Sequence, residues 1–229
     1  MSEDCGTIYG ADGKLIRIKC YKPPSMRLGI IVPFRKREAH LIQFIPHMTA
    51  RFPKAFIGII EQYDDKPFNR AKLLNVGYHY YNQHFDYFAA HDVDMLPIKA
   101  DYSYPNTPTH IATQAEQFGY KMPFAEYFGG VTLFNNADFE KVNGFSNGYS
   151  GWGAEDDDIR KRVEAAELII SRRPCSFKSL PHPRKIDANL HAKNVALLQA
   201  GTSDGLSTLE YEVISEHTQA GYTHLKVKL

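Results

Sequence analysis

Leu28-Gly29-Ile30-Ile31-Val32, closed by Pro33, is the stretch on which the fold turns. Its apolar residues stand at consecutive rather than alternate positions, and three are β-branched. Such a run has no face left for solvent, so it predicts a strand covered on both sides, as in a parallel sheet. Downstream, Leu41, Ile42, Phe44, Ile45 and Met48 recur at helical spacing within 38–52. Residues 55–60 (AFIGII) form a second unbroken apolar run. The spacing then predicts a helix over 69–83, with Leu73, Leu74 and Val76 inward, and a third strand over 87–90 (YFAA). Strand, helix, strand, helix, strand predicts an α/β domain with parallel sheet pairing.

Upstream, residues 1–27 are polar and carry Pro23-Pro24, the pattern of an N-terminal arm leading into a domain over 28–229. Residues 97–123 read as loop, 128–134 (FGGVTLF) as a strand and 137–142 as a short helix. Residues 143–153 hold four glycines and read as a flexible loop. A helix is expected over 155–167, its acidic first turn favoured by the macrodipole. Residues 168–171, 209–214 and 225–229 read as strands. No repeat or composition shift divides the chain.

The 229 residues are 43% hydrophobic and 23% charged, with a formal charge of +1. These values exclude a disordered chain, a fibrous repeat and a disulfide scaffold. Near neutrality gives no global field toward nucleic acid or an acidic membrane, so function belongs to a local site. Cys5, Cys20 and Cys175 make no CxxC pair, and a Cys5–Cys20 bridge has little support. The first ten residues carry no apolar signal-peptide core, and no apolar run is long enough to predict a membrane span. The expected compartment is the cytoplasm.

Chemistry concentrates in four segments. His91-Asp92-Val93-Asp94 places two carboxylates just past a predicted strand end, where ligands of open α/β sheets collect. A divalent cation would relieve their repulsion and bridge to phosphate; a turn or N-cap role for Asp is the alternative. In Trp152-Gly153-Ala154-Glu155-Asp156-Asp157-Asp158, a helix dipole accounts for one or two acids but not four behind a Trp. A sugar can stack on the Trp, and a carboxylate can serve as general base toward an attacking hydroxyl. Pro33-Phe34-Arg35-Lys36-Arg37 and Phe68-Asn69-Arg70-Ala71-Lys72 follow the first two strands. Their arginines suit phosphate oxygens or form solvated faces, and Phe34 and Phe68 either flank a base or pack.

VPFRKREAHL, FNRAKLLNVG, HDVDMLP, EYFGGVTLF, NGFSNGYSGWGAEDDDIRKR and DGLSTLEY occur in this order. Together they resemble the β-1,4-galactosyltransferase family over roughly residues 28–215. HDVD is similar to the xylose-acting branch and EDDD to the N-acetylglucosamine-acting branch, so the acceptor stays open. The resemblance implies a single α/β, Rossmann-like GT-A domain with a mostly parallel central sheet. It also implies UDP-galactose as donor, Mn²⁺ as cofactor and inverting transfer to a glycan hydroxyl.

Residue by residue, the resemblance assigns Pro33, Phe34, Arg35 and Arg37 to uridine and ribose, and Phe68 and Arg70 to base and diphosphate. It assigns Asp94 and His182 to the metal, and Asp92 to the ribose or donor sugar. Tyr127, before Phe128-Gly129-Gly130, stands at the position favouring galactose over N-acetylgalactosamine, with Gly130 on the donor side. Trp152 and Gly153 belong to a closing loop, and Glu155 to the donor galactose. Asp156 is the general base, and Asp157 and Phe124 join it in binding the acceptor. Ser179 and Leu180 stand where the family has a second soft or imidazole ligand, with His191 a weak substitute, and Gln117 stands where it has a basic residue. Alternatives are the same fold using UDP-N-acetylgalactosamine or UDP-glucose, a degenerate sugar- or nucleotide-binding module, and a metal-dependent phosphohydrolase.

Overall fold

The computed structural model describes residues 4–9, 15–19, 25–183 and 186–229, the first two stretches as backbone only. Cys20, and with it the Cys5–Cys20 pairing, lies outside the described residues; Cys175 is buried and unbridged. β1 (Asp4–Tyr9) and β2 (Leu15–Lys19) pair antiparallel with each other. The body runs β3 (Leu28–Phe34), α1 (Glu38–Arg51), β4 (Phe56–Gln62), α2 (Arg70–Tyr81) and β5 (Tyr87–His91). Then come β6 (Met95–Lys99), β7 (Thr109–His110), β8 (Gln114–Ala115), β9 (Val131–Asn135), α3 (Asn136–Lys141) and α4 (Glu155–Ala165). β10 (Ser171–Arg172), β11 (Ser176–Ser179), α5 (Ala188–Ala200), β12 (Glu212–Gln219) and β13 (Tyr222–Lys228) complete it. None of the described helices is long and apolar enough to cross a membrane.

All seven residues of β3 are buried, as its unbroken apolar run requires. It lies between β4 and β5, parallel to both, in an eight-stranded sheet ordered β10-β7-β9-β5-β3-β4-β13-β12. The sheet is mixed. β3–β4, β3–β5, β4–β13 and β7–β10 are parallel, whereas β5–β9, β7–β9 and β12–β13 are antiparallel. The antiparallel β9 has a consequence for function: its N-terminal end reaches the same rim as the C-terminal ends of β3 and β5.

Side chains alternate across β3. Ile30, Val32 and Phe34 join Phe44 and Met48 of α1 on one face. Ile31 joins Leu73, Leu74 and Val76 of α2 on the other. Phe34 therefore departs from its expected uridine contact. It is 2% exposed, with its ring edge-on to His224 at 5.8 Å, because residue i+2 of Val32 must face the same core.

Several element bounds shift, each for a packing reason. The strand expected at 128–134 starts at Val131, since Gly130 takes φ +80°. The strand expected at 209–214 is β12, because Leu209 and Tyr211 pack against the core before it starts. Leu168 and Ile170 likewise pack against the core as loop, while Ile169 is exposed, leaving the two-residue β10. The helix expected to 167 ends at Ala165. The glycine-rich 143–153 segment is tied down at its start. Buried Asn75 donates to the Phe145 carbonyl at 2.7 Å and accepts its N–H at 2.9 Å.

Gly77 sets how closely α2 lies on the sheet. A Cβ there would collide with Ile31 Cγ2 and reach 2.9 Å from Ile60 Cγ1. Gly77→Ala should therefore lose about 1–3 kcal/mol to overpacking, rather than gain the roughly 1 kcal/mol that Ala brings to an open helix. Urea unfolding reads this directly, and an unchanged or raised midpoint would show that the helix is free to lift.

Candidate active site

Three chain reversals meet at one rim of the sheet. β3 delivers Arg35 and Arg37, β5 delivers Asp92 and Asp94, and the loop after β4 delivers Phe68 and Arg70. Gln62 shapes that loop: its Oε1 accepts the Asn69 N–H at 2.9 Å, and its Nε2 donates to the Pro67 carbonyl at 3.2 Å. Asn69 then caps α2 by accepting the Lys72 N–H at 2.8 Å. α4 enters from the side, with Glu155 to Asp157 at its N-terminus. The open cleft between them has a volume of about 640 Å³. Every assigned site residue lines it except Phe34. His40 and Phe118 line it too and had no sequence signal, because His40 reads as one more inward helical position.

Arg70 ties the rim together. Its Nε donates to Asp92 Oδ1 at 2.6 Å and its Nη1 to Asp156 Oδ1 at 3.0 Å, with Glu155 Oε1 at 4.0 Å. Burial pushes the Glu155 carboxyl up to about 8, helped by the neighbouring Asp156 charge. Burial also raises Asp156; Arg70 opposes the rise, while Asp92 and Asp157 add to it. The fourth acid has a different task. Asp158 is buried, bonded to Arg162 Nε at 2.7 Å, Thr202 Oγ1 at 2.7 Å and the Tyr149 hydroxyl at 3.1 Å. The acidic run thus splits into three cavity carboxylates and one that anchors α4.

Asp94 Oδ2 lies 2.9 Å from His182 Nδ1. Burial, then the Asp92 charge, pushes Asp94 up to about 7. A carboxylate oxygen beside an imidazole nitrogen is a donor set that suits a divalent transition metal. The His40 ring stands 5.9 Å from that of His182 and leaves Nδ1 buried without a hydrogen-bond partner. Ser179 Oγ accepts the Gln117 N–H at 3.2 Å, and Leu180 is buried in the core. Among the described residues, no group of three or more His, Cys, Asp or Glu side chains is placed to hold a metal ion together. The residues thus fit a cation held by two side chains, with the remaining coordination left to substrate and water. His91, inside the same motif, is structural: Tyr102 donates to its Nε2 at 2.7 Å, and burial pushes it down to about 4.

The opposite wall is aromatic. Tyr127 meets Phe118 and Phe124 edge-on at 5.5 and 5.6 Å. Phe124 is 51% and Trp152 48% exposed, so both offer faces to a ligand. The Trp152 ring lies 5.3 Å from that of His191 on α5, and Asn194 of α5 donates to the Ser150 carbonyl at 2.9 Å. Gly129 leaves room for the Asp156 carboxylate, since a Cβ there would push Asp156 Oδ2 aside.

Family models match both halves of the chain: "N-terminal region of glycosyl transferase group 7" over residues 10–106 and "N-terminal domain of galactosyltransferase" over 109–186. β-1,4-Galactosyltransferase 4 of Rattus norvegicus is 36% identical over 226 residues, covering 90% of this chain and 66% of that protein. The chain spans 57–66% of the length of the first curated relatives it matches. The catalytic domain of Drosophila β-1,4-galactosyltransferase 7, solved with xylobiose, superposes with a TM-score of 0.80 at 32% identity. That match covers 89% of this chain and 94% of the Drosophila one. A point variant of the same enzyme, solved with manganese, UDP-Gal and xylobiose, gives a TM-score of 0.77 at 30% identity, again over 89% and 94%. With this agreement over nearly the whole solved catalytic domain, on a GT-A scaffold whose cavity gathers the motif residues, the chain belongs to the β-1,4-galactosyltransferase family.

Proposed function

We propose that the protein is an inverting glycosyltransferase that moves galactose from UDP-galactose to a hydroxyl of an acceptor sugar, forming a β-1,4 linkage. Terminal N-acetylglucosamine, glucose and xylose are the candidate acceptors. The observation that carries this reading is the convergence of the Asp94–His182 pair, Arg70 and the Glu155–Asp156 pair in one cavity. The bound xylobiose, UDP-Gal and manganese of the Drosophila relative agree with it.

Arg35 and Phe68 offer a guanidinium over an aromatic ring, 5.3 Å from its centroid, on the side assigned to the nucleotide. Arg70 and Arg37 supply positive charge for the diphosphate. Asp94 and His182 would hold Mn²⁺, which when bound offsets charge on the departing diphosphate. Tyr127, Phe124 and Trp152 present apolar faces to the sugar rings. Asp156 takes the proton of the acceptor hydroxyl as its oxygen attacks the anomeric carbon. The C1–O bond to the diphosphate breaks with its electron pair leaving on UDP. Asp157, at the same helix terminus, accepts a hydrogen bond from the acceptor. The acceptor sugar is carried by an oligosaccharide or a glycolipid precursor.

Asp156→Asn should abolish transfer, at least about a thousandfold in kcat, while UDP affinity by calorimetry stays within about threefold of wild type. Retained transfer would remove Asp156 as the base. Because the base works ionised and its carboxyl is raised, kcat should climb with pH, with an acid limb above the ordinary aspartate range of about 4. Arg70→Gln, by removing the cation that opposes this rise, should move the limb to still higher pH; a limb that stays put assigns it to another group. Asp94→Ala should weaken Mn²⁺ binding, read by electron paramagnetic resonance of the free ion, and an unchanged titration would place the cation elsewhere.

A further inference from the structure

β7 and β10 are two-residue strands at one edge of the sheet, paired parallel so that Arg172 stands opposite His110. Their side chains meet: Arg172 Nη1 lies 2.7 Å from His110 Nδ1. The two residues reach the segment between Phe124 and Val131, which has no regular secondary structure. Arg172 Nη2 donates to the Ala125 carbonyl at 2.7 Å, and Nη1 donates to the Tyr127 carbonyl at 2.6 Å. His110 Nε2 bonds the Gly129 carbonyl at 2.9 Å. Three carbonyls of the segment, of Ala125, Tyr127 and Gly129, are thereby held by this one pair of side chains. The Phe128 carbonyl turns the other way, to Thr132 Oγ1 at 2.9 Å.

Both partners of His110 demand the same tautomer. A carbonyl needs a donor at Nε2, and a guanidinium needs an acceptor at Nδ1. Only the neutral ring supplies both. His110 is 0% exposed, and burial pushes it down to about 4, so it stays neutral at physiological pH. Its ring also meets that of Tyr127 edge-on at 5.3 Å.

The held segment touches the reaction at several points. Gly129 abuts the Asp156 carboxylate, and the Gly130 carbonyl accepts the Asp92 N–H at 3.1 Å. Tyr127 and Phe124 form the aromatic wall of the cavity. Arg172 and His110 do not line the cavity themselves. The groups assigned to the nucleotide, Arg35, Phe68 and Arg70, stand on other elements across the site.

We propose that Arg172, together with His110, is a positioning residue that sets the sugar specificity of the site without contributing to nucleotide affinity. The proposal deepens the transferase reading and rests on it for the identity of the sugars. The fold supplies its own control in the adjacent residue. Arg173 makes a like clamp, donating to the Asp101, Ser103 and Tyr104 carbonyls at 3.1, 2.8 and 3.2 Å, on a loop away from the cavity.

The test compares Arg172→Met, Arg172→Lys and Arg173→Met. Calorimetry gives affinities for UDP and UDP-galactose with Mn²⁺. Steady-state assays give the UDP-galactose to UDP-N-acetylgalactosamine ratio and KM for p-nitrophenyl β-xyloside and β-N-acetylglucosaminide. Arg172→Met should leave UDP affinity within about twofold, shrink the extra affinity for UDP-galactose and lower the donor ratio. Acceptor KM should rise about ten- to a hundredfold, the cost expected of roughly ångström misplacement. Arg172→Lys keeps a cation that reaches one or two of the three partners, and it should restore part of each change. It also decides the matter if the Met variant does not fold. Arg173→Met should lower Tm and move neither donor ratio nor KM. If Arg172 variants lose stability, UDP affinity and turnover together at an unchanged donor ratio, or if Arg173→Met shifts the ratio equally, the role is structural and the proposal fails. A wild type that binds UDP-galactose yet transfers it to neither acceptor sinks the transferase reading instead, and the affinity comparison then decides the Arg172 proposal alone.

Discussion

One guanidinium holds the rim of this protein together. Asp92 ends a strand system, while Glu155 and Asp156 begin a helix more than sixty residues later in the chain. Their carboxylates face the same small volume and repel one another. Arg70, at the first turn of α2, lies within 4.0 Å of all three. Like charges brought together in a partly dry cleft are costly unless a cation is shared among them. The α2–sheet packing, the Asn69 cap and the Gln62-braced loop all serve to put that cation where it is needed. Its charge also bears on Asp156: burial and the neighbouring carboxylates raise that carboxyl, and the guanidinium opposes the rise.

Close approach is the second constraint, and glycine makes it possible at the decisive places. Gly77 lets α2 settle onto Ile31 and Ile60, and Gly129 lets backbone press against the Asp156 carboxylate. The gaps are too small for a methyl group. Function at this rim therefore depends on packing within tenths of an ångström, supplied by a core that is fully buried on both faces of β3.

Much of this was legible in the chain. The unbroken apolar run at 28–32 declared a two-sided strand, and the helical spacing at 38–52 and 69–83 declared the layers that cover it. The basic motifs and HDVD fell at strand ends, where an α/β sheet exposes its ligands, and every residue assigned to the site but Phe34 reached the cavity. Phe34 misled because an aromatic beside two arginines looks like a base-stacking residue, yet period-2 geometry turns it into the core with Val32. The acidic run misled in part: four adjacent carboxylates look alike in one dimension, whereas helical rotation sends Asp158 inward to Arg162 and leaves three in the cleft.

The sequence by itself determined the α/β class, the family and the residue types able to handle a diphosphate, a cation and a sugar. These follow from local periodicity and from motifs that need only a few neighbours to be read. Only the tertiary structure decided that β9 runs antiparallel and so brings Gly129 and Gly130 to the rim. Only it showed that Arg70 is shared among three carboxylates, and that His110 and Arg172 grip the aromatic wall from outside the cavity. Those relations join residues distant in the chain through sheet order and side-chain direction, and one-dimensional spacing encodes neither.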